Sequence, residues 1–169
     1  MSKNSIWITG AEGRLGSALL QLLKEDVNNK VVGTDKKDVD VTDMEAVDQA
    51  ANVYHPDIVI NCASVSNVES CEKDMVEAFR VNALGARNLA VVTRRLNAKL
   101  IQLSTDDVFD GKSSGHMTEF DLPDPQTVYG KSKLAGENYV KELNPKHLII
   151  RSSWVYGAAN GEAAQDYFS

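Results

Sequence analysis

The fold of this chain is decided by the stretch Ile6-Trp7-Ile8-Thr9-Gly10-Ala11-Glu12-Gly13-Arg14-Leu15-Gly16. An apolar run leads into three glycines, and apolar residues at helical spacing follow: Leu15, Ala18, Leu19, Leu22 and Leu23. A strand, a glycine turn and a helix in this order are typical of the first unit of a dinucleotide-binding fold. A pyrophosphate needs backbone N–H donors and the positive end of a helix dipole, with no side chain in the way. We therefore expect Gly10 to permit the tight turn, Gly13 to admit the phosphates and Gly16 to let the helix approach the strand.

A carboxylate stands at the end of the next predicted strand. Residues 30–34 are a short β-rich run, and Asp35 follows 19 residues after Gly16 (35 − 16 = 19). At that distance a carboxylate accepts hydrogen bonds from the hydroxyls of an adenosine ribose. Lys36 and Lys37 come next and could pair with a 2′-phosphate instead, so NADH and NADPH both stay open. A solvated turn is the alternative, and the glycine loop upstream makes it the weaker one.

Composition and charge exclude several classes of protein. With 169 residues and 43% hydrophobic content, the chain is long enough for one domain with one core. Its net charge of −6 argues against nucleic acid or an anionic membrane as a partner. No apolar stretch approaches the roughly 20 residues of a membrane span, and the N-terminus leads into a strand rather than a signal peptide. Two cysteines suggest no disulfide framework, and we expect a reduced, cytoplasmic protein.

Strands and helices alternate along the rest of the chain. The patterns predict helices over residues 43–54, 73–97 and 128–143, strands over residues 57–60, 100–103 and 147–150, and a polar loop over residues 112–126. Such alternation predicts an α/β fold of the Rossmann type, in which a doubly wound parallel sheet carries helices on both faces.

Three side chains are candidates for chemistry. Tyr129 and Lys133 are spaced i, i+4 and share one face of the predicted helix. A phenol is a poor acid at neutral pH, and an ammonium one turn away is expected to lower its pKa. Thr105 follows the carboxyl end of a predicted strand, where open α/β sheets bind their ligands. A surface Tyr–Lys pair and a strand-end cap are the alternatives. The three histidines are scattered, so no metal site is expected.

Taken together, the motifs resemble the extended short-chain dehydrogenase/reductases and, within them, the dTDP-4-dehydrorhamnose reductase group with its RmlD-like substrate-binding region. Besides the glycine loop, the resemblance is carried by Asp40-Val41-Thr42-Asp43, Val81-Asn82-Ala83-Leu84-Gly85-Ala86-Arg87-Asn88-Leu89, Ser104-Thr105-Asp106, Val108-Phe109-Asp110-Gly111, Tyr129-Gly130-Lys131-Ser132-Lys133 and Arg151-Ser152-Ser153-Trp154-Val155-Tyr156-Gly157. It implies an NAD(P)H-dependent reduction of a nucleotide-linked 4-keto sugar, in dTDP-rhamnose biosynthesis.

The resemblance also implies a role for each matching residue. Tyr129 would protonate the keto oxygen as hydride arrives, Lys133 would bind the nicotinamide ribose and lower the tyrosine pKa, and Thr105 would hold the carbonyl. Asn82 would fix backbone and water near the lysine. The residues implied to line NADPH or NADH are Gly10, Gly13, Arg14, Leu15, Gly16, Asp35, Asp40, Val41, Ala63, Ser64, Val65, Leu103, Tyr129 and Lys133. Those implied to contact the nucleotide-sugar substrate are Thr105, Asp106, Val108, Phe109 and Trp154.

Two departures from the group matter. Asp107 stands where the group usually has a tyrosine, and a carboxylate there would repel an anionic sugar nucleotide unless it faces solvent. The group also continues well beyond this length, and most of its substrate domain lies in that continuation. We therefore expect an NAD(P)-binding domain over residues 1–157 and only the start of a truncated substrate domain over residues 158–169. Truncation would expose apolar surface, so we expect a sticky, homo-oligomeric chain.

Several functions are compatible with these features. The first is a reductase of a 4-keto sugar. The second is a non-catalytic NAD(P)-binding or regulatory protein, as in the methionine adenosyltransferase regulatory subunit, or an inactive cofactor-domain fragment. A sugar-nucleotide epimerase is the third, although the run Ser104-Thr105-Asp106 followed by Val108-Phe109 favours the reductase. Intact Thr105, Tyr129 and Lys133 favour an enzyme, whereas the short chain favours loss of turnover.

Overall fold

A computed structural model describes residues 4–112 and 115–156. In these residues five parallel strands form one sheet in the order β2-β1-β3-β4-β5. The strands are Asn4–Thr9 (β1), Asn29–Thr34 (β2), Ile58–Asn61 (β3), Lys99–Thr105 (β4) and His147–Ser152 (β5). The order reverses between β1 and β3, which creates a ligand-binding crevice at the carboxyl ends of these strands. The predicted Rossmann-type parallel sheet is confirmed.

Helices connect the strands on both faces of the sheet. They are Arg14–Glu25 (α1), Met44–Tyr54 (α2), Val68–Lys73 (α3), Met75–Phe79 (α4), Ala86–Arg95 (α5) and Val128–Leu143 (α6). A π-helical turn over Arg80–Gly85 joins α4 to α5, and a 3₁₀ turn over Asp106–Val108 follows β4. The predicted helices that begin near residues 43 and 128 are confirmed. None of the helices in the described ranges is long and apolar enough to cross a membrane.

The helix predicted over residues 73–97 is found as a continuous helical run over residues 75–95, made of α4, the π-helical turn and α5, while its start is corrected. Helical structure begins earlier, because the side chain of Asn67 accepts a hydrogen bond from the Ser70 N–H and caps α3. It breaks at Asp74, whose side chain accepts from the Glu77 N–H and caps α4. The π-helical turn then widens the helix before α5. Both caps are residue types that favour helix starts, so the break was visible in the sequence.

One face of the sheet carries a closed core. Trp7, Val59 and Leu100 are completely buried on this face, against Leu89 of α5 and Val140 of α6. The Trp7 indole N–H donates to the Thr34 hydroxyl at 2.9 Å, which satisfies the one polar group of this side chain. This face therefore provides a rigid base for the residues at the carboxyl ends of β3 and β4.

The opposite face is covered mainly by α1, and the apolar stripe predicted for α1 is partly wrong. Ala18 is exposed and Leu22 is 62% exposed, whereas Leu20 packs with the core. A Cβ added to Gly33 of β2 would lie 2.9 Å from a Leu20 methyl group. Because Gly33 has no side chain, Leu20 can pack against β2. The buried face of α1 therefore lies closer to β2 than the predicted stripe indicates.

Beyond α1, no further helix among residues 4–112 and 115–156 covers this face of the sheet near β5. Leu148 and Ile150 of β5 are 49% and 41% exposed, while Ile149 between them packs into the closed core. Because side chains alternate along a strand, Leu148 and Ile150 point to the same face as α1. An exposed apolar surface was expected, and these two side chains form part of it.

Candidate active site

The phosphate-binding turn is built without side chains. Gly10 has a φ of +66°, and a Cβ there would lie 2.6 Å from the Ala63 N. A Cβ on Gly16 would lie 2.2 Å from the Gly10 O, so α1 lies directly on the turn. Gly13 occupies the N-cap of α1 and makes no side-chain capping hydrogen bond. The first N–H groups of α1 are therefore oriented for an anion, which fits a dinucleotide pyrophosphate.

A cavity of about 360 Å³ opens beside this turn. Of the residues predicted to hold the cofactor, it is lined by Gly10, Gly13, Asp35, Asp40, Val41, Ala63, Ser64 and Val65. Lys36, the candidate for a 2′-phosphate, also lines it, and the lining residues that were not predicted are Glu12, Val39, Cys62, Glu77 and Val81. Most of these are neighbours in sequence of predicted residues, so their place on the same loops was the signal that could have found them.

Other predicted cofactor residues lie outside this lining. Gly16 is buried beneath the turn, Leu15 is half-buried, and the Arg14 guanidinium donates to the Val155 O at 3.2 Å. Leu103, Tyr129 and Lys133 lie at the far end of the crevice, near the carboxyl end of β4. The predicted set thus divides into two parts, which we name after the roles that the resemblance implies: an adenosine end, between the glycine turn and β2, and a reaction end, between β4 and α6.

Asp35 is the central acid of the adenosine end. Its carboxylate accepts hydrogen bonds from the Glu12 N–H at 3.0 Å and from the Lys36 N–H at 2.8 Å. Lys36 pairs with Glu77 at 3.5 Å, and Lys37 pairs with Glu12. Each lysine that could neutralise a 2′-phosphate is therefore already paired with a carboxylate, while the Asp35 carboxylate borders the cavity.

At the reaction end the hydroxyls of three residues converge. Burial raises the pKa of the Tyr129 phenol above its ordinary value, and hydrogen bonding with the side chains of Thr105 and Ser64 lowers it in part. Thr105 ends β4, accepts from the Asp107 N–H at 3.1 Å and so also caps the 3₁₀ turn. The nearby Asp107 carboxylate raises the pKa of Tyr129 further.

The expected lowering of the Tyr129 pKa is contradicted, because the pKa of this phenol is raised overall. The Lys133 ammonium donates to the Leu103 O at 2.7 Å, and burial lowers the pKa of this lysine to about 8. Removal from water acts on both side chains and favours the neutral form of each. For Tyr129 this desolvation is the largest influence on its pKa, and the phenol stays protonated at neutral pH.

Asn82 joins the reaction end to the loop after β3. Its Oδ1 accepts from the Ser64 hydroxyl at 3.0 Å and from the Val65 N–H at 2.9 Å. Its Nδ2 donates to the Val65 O and to the Ser132 hydroxyl, each at 2.9 Å. Ser132 in turn donates to the Tyr129 O at 2.8 Å. Asn82 thus fixes backbone as the resemblance implied, but the contact between Ser64 and Tyr129 was missed, and no local spacing indicates it.

The predicted substrate residues differ in accessibility. Asp106 is exposed, Trp154 is 74% exposed, and the Arg151 guanidinium lies 5.0 Å above the centre of the half-buried Phe109 ring. Val108 is completely buried, so its side chain packs in the interior and does not reach a surface that a substrate could touch. Asp107 is half-buried, and burial together with the charge of Asp106 raises its pKa.

A doubly wound parallel sheet, a side-chain-free phosphate turn and a Tyr-x-x-x-Lys helix define a Rossmann-type dinucleotide-binding protein. The chain belongs to the family described as the RmlD substrate binding domain, which matches residues 4–168.

Individual relatives agree with this assignment. The chain is 39% identical over 152 residues to the spore coat polysaccharide biosynthesis protein SpsK of Bacillus subtilis (strain 168), covering 90% of this chain and 53% of that protein. It is 38% identical over 150 residues to a dTDP-4-dehydrorhamnose reductase of Aggregatibacter actinomycetemcomitans, covering 89% and 51%. The crystal structure of dTDP-4-dehydrorhamnose reductase from Bacillus anthracis str. Ames in complex with NADP superposes with a TM-score of 0.90 at 41% identity, covering 92% and 55%. The chain therefore spans about half the length of these relatives.

Proposed function

We propose that this chain is the cofactor-binding half of an NADPH- or NADH-dependent reductase that acts on a nucleotide-linked 4-keto-6-deoxy sugar of dTDP-rhamnose biosynthesis. The observation that carries the proposal is the convergence of the Tyr129 and Thr105 side chains beside buried Lys133, at the end of a crevice that begins with a side-chain-free phosphate turn. The relatives named as dTDP-4-dehydrorhamnose reductases, one of them bound to NADP, support both the reaction and the cofactor.

The residues divide the reaction among them. When bound, NADPH or NADH would supply the hydride that the carbonyl carbon of the sugar accepts. Thr105 donates a hydrogen bond that orients the carbonyl oxygen, and Tyr129 gives that oxygen its phenolic proton, so the carbonyl becomes an alcohol. The raised pKa of Tyr129 keeps this proton in place until hydride arrives. Lys133 holds the hydroxyls of the nicotinamide ribose with the donors that the Leu103 O leaves unused.

The adenosine end supports the cofactor half of the proposal. Its glycine turn would receive the pyrophosphate, and Asp35 would accept from the ribose hydroxyls. The remaining predicted residues, Asp106, Phe109 and Trp154, would contact the sugar nucleotide on the exposed side of the crevice. We place the boundary of the NAD(P)-binding domain at residue 157, and residues 158–169, which lie outside the described part, at the start of a substrate domain.

Partners and location belong to the same proposal. A nucleotide sugar is the partner that the site is suited to, and the net charge of −6 disfavours nucleic acid and anionic membranes. The apolar side chains of Leu148 and Ile150 favour association of copies into a homo-oligomer. Two free thiols, Cys62 and Cys71, favour the reducing cytoplasm.

The test distinguishes the proposed function from the alternative raised by the sequence, cofactor binding without turnover. The test follows NADPH oxidation by the 169-residue chain with dTDP-4-dehydrorhamnose, alongside cofactor affinity from the quenching of tryptophan fluorescence. We expect Tyr129→Phe to remove turnover and to spare affinity. Tyr139→Phe, the same change on the same helix, is the control and should change neither.

Each result separates the candidates. Turnover that depends on Tyr129 supports the reductase. Binding without turnover is compatible with both functions, so the assay is then repeated on a chain extended by the substrate half of a relative. Turnover by the extended chain supports the reductase, and its absence supports the non-catalytic function. Equal turnover by Tyr129→Phe contradicts the catalytic assignment, and absence of NADPH binding contradicts both functions.

A further inference from the structure

A buried carboxylate lies one turn beyond Lys133 on α6, and the proposed reaction leaves it without a role. The side chain of Glu137 is completely buried. Its i, i+4 spacing from Lys133 places both side chains on one face of the helix. Burial of a carboxylate is strongly unfavourable unless it is paired and hydrogen-bonded. The partners of Glu137 therefore indicate what its burial achieves.

Both oxygens of Glu137 are held by donors from other parts of the fold. Oε1 accepts from the Ser104 hydroxyl at 2.6 Å and from the Arg151 Nε at 2.9 Å. Oε2 accepts from the Arg151 Nη2 at 2.7 Å and from the Lys141 Nζ at 3.1 Å. The two bonds from Arg151 form a bidentate pair, the strongest and most directional geometry for a guanidinium and a carboxylate.

These partners belong to the strands that carry the reaction end. Ser104 lies on β4 between Leu103, whose carbonyl holds the Lys133 ammonium, and Thr105. Arg151 lies on β5, and its guanidinium stacks on the Phe109 ring. Through these contacts Glu137 joins α6 to the carboxyl ends of both β4 and β5. A change at Glu137 would therefore move Lys133 relative to the Leu103 O and Thr105.

Two groups oppose the effect of burial on the pKa of Lys133, Cys62 first and Glu137 second. Cys62 approaches the lysine from the end of β3, but burial raises the pKa of its thiol to about 11, so it is neutral at pH 7. Tyr129 on α6 is neutral as well. Arg151 and Lys141 are cations that face Glu137 itself. Burial favours the neutral form of Lys133. Among the described groups that influence this lysine, Glu137 is thus the anion that favours its charged form.

We propose that Glu137 is a positioning residue for the reaction end: it clamps α6 to the ends of β4 and β5 and keeps the Lys133 ammonium charged where a nicotinamide ribose would bind. The role of Lys133 toward the ribose rests on the proposed function. The clamp and its effect on the charge of Lys133 do not, because both are present in the chain without cofactor.

The test is the substitution Glu137→Gln, which keeps the shape and an acceptor for Ser104 but removes the charge. The titration of Lys133 is followed in the 169-residue chain by NMR of ¹³C-labelled lysine side chains, with the signal assigned from Lys133→Met. We expect a midpoint near 8 in the wild type. In Glu137→Gln we expect it to fall by on the order of one pH unit. Glu142→Gln removes the same charge from an exposed position of α6 and should leave the midpoint in place.

Cofactor affinity provides the second measurement. The pH dependence of NADPH binding should move to lower pH in Glu137→Gln by the same amount as the Lys133 midpoint. An unchanged Lys133 midpoint in folded Glu137→Gln would overturn the proposal. If Glu137→Gln does not fold, the double variant Glu137→Met/Arg151→Met replaces the pair by apolar groups of similar volume, and its midpoint must also fall. Failure of the wild type to bind NADPH would contradict the proposed function and leave the Lys133 titration as an independent result.

Discussion

The two ends of the crevice are built in different ways. At the adenosine end the turn at Gly10 and Gly16 is shaped by missing side chains, and its nearest contacts are backbone to backbone. At the reaction end buried polar side chains, Asn82 and Glu137 above all, hold β4, α6 and the loop after β3 together. An added side-chain atom should therefore destabilise the adenosine end, whereas removal of a hydrogen-bonding partner should destabilise the reaction end.

The difference also separates binding from chemistry. A pyrophosphate is the same anion in every dinucleotide, so a backbone turn at a helix N-terminus is sufficient to hold it. Proton transfer requires particular side chains in particular protonation states, and these depend on burial and on neighbouring charges. The reaction end thus carries a buried lysine, Lys133, whose charged form is disfavoured by burial.

The largest effect is expected at the adenosine end, from Gly16→Ala. The new Cβ would lie 2.2 Å from the Gly10 O, and two backbone segments would have to separate. We expect a loss of about 3 kcal/mol in the free energy of unfolding, measured with urea. Gly13→Ala is the comparison, because the nearest atom to its Cβ lies at 3.3 Å. It should cost less than about 1 kcal/mol and lower NADPH affinity instead. Equal stability losses in the two variants would contradict this account of the turn.

At the reaction end, removal of a partner should cost nearly as much. Asn82→Ala leaves the Ser64 hydroxyl, the Val65 backbone and the Ser132 hydroxyl without the amide that bonds them. Unsatisfied buried polar groups make this loss about 2 to 3 kcal/mol in urea unfolding. Asn52→Ala, at an exposed position of α2, should stay within about 0.5 kcal/mol of the wild type. A loss below about 1 kcal/mol in Asn82→Ala would mean that water replaces the amide.

The sequence predicted the adenosine end better than the reaction end, and the reason is the range of the contacts. The glycine spacing, the position of Asp35 and the i, i+4 pair of Tyr129 and Lys133 are all local signals. The turn geometry expected of Gly10 and Gly16 is found as predicted. The assignment of the remaining site residues stays a prediction that the experiments above test.

What the sequence left out depends on contacts between distant residues. The bond between Ser104 and Glu137 joins residues 33 positions apart, and no spacing rule indicates it. The same holds for the choice of Leu20 over Leu22 on α1, because Gly33 on the neighbouring strand decides it. The sign of the pKa shift of Tyr129 was missed because burial is a property of the folded chain.

Lys133→Met tests whether the reaction end reduces stability. Lowering the lysine pKa from 10.5 to about 8 corresponds to roughly 3 kcal/mol of unfavourable burial of the ammonium. The lost hydrogen bond to the Leu103 O offsets about 1 kcal/mol of this. We therefore expect Lys133→Met to be more stable than the wild type by about 2 kcal/mol at pH 7, with loss of any reductase activity.

The pH dependence of stability supplies the control for Lys133→Met. Between pH 8 and pH 10.5 the folded wild type has released the Lys133 proton, while the unfolded chain still binds it. The contribution of Lys133 to the free energy of unfolding of the wild type must therefore rise with pH between pH 8 and pH 10.5. Urea unfolding at pH 7 and pH 9.5 should show the difference between the two proteins shrinking. A constant difference would show that folded and unfolded chains bind the Lys133 proton equally over this range, so that burial does not lower the pKa of Lys133.

The smallest effect, Asp35→Asn, sharpens the distinction by changing recognition at the adenosine end with little change in the fold. The carboxylate accepts from the Glu12 and Lys36 N–H groups, and an asparagine oxygen can keep one of these bonds. Loss of an acceptor for ribose hydroxyls should weaken NADH about tenfold, or about 1.4 kcal/mol. The affinity for NADPH should weaken less, because a negative charge near its 2′-phosphate is removed at the same time.

Asp38→Asn is the control. It removes an equal charge from the same turn, outside the cavity lining, and should leave the ratio of the two affinities unchanged. Fluorescence titration with both nucleotides measures these affinities. An equal loss of affinity for NADH and NADPH would mean that Asp35 shapes the turn and does not bind the ribose.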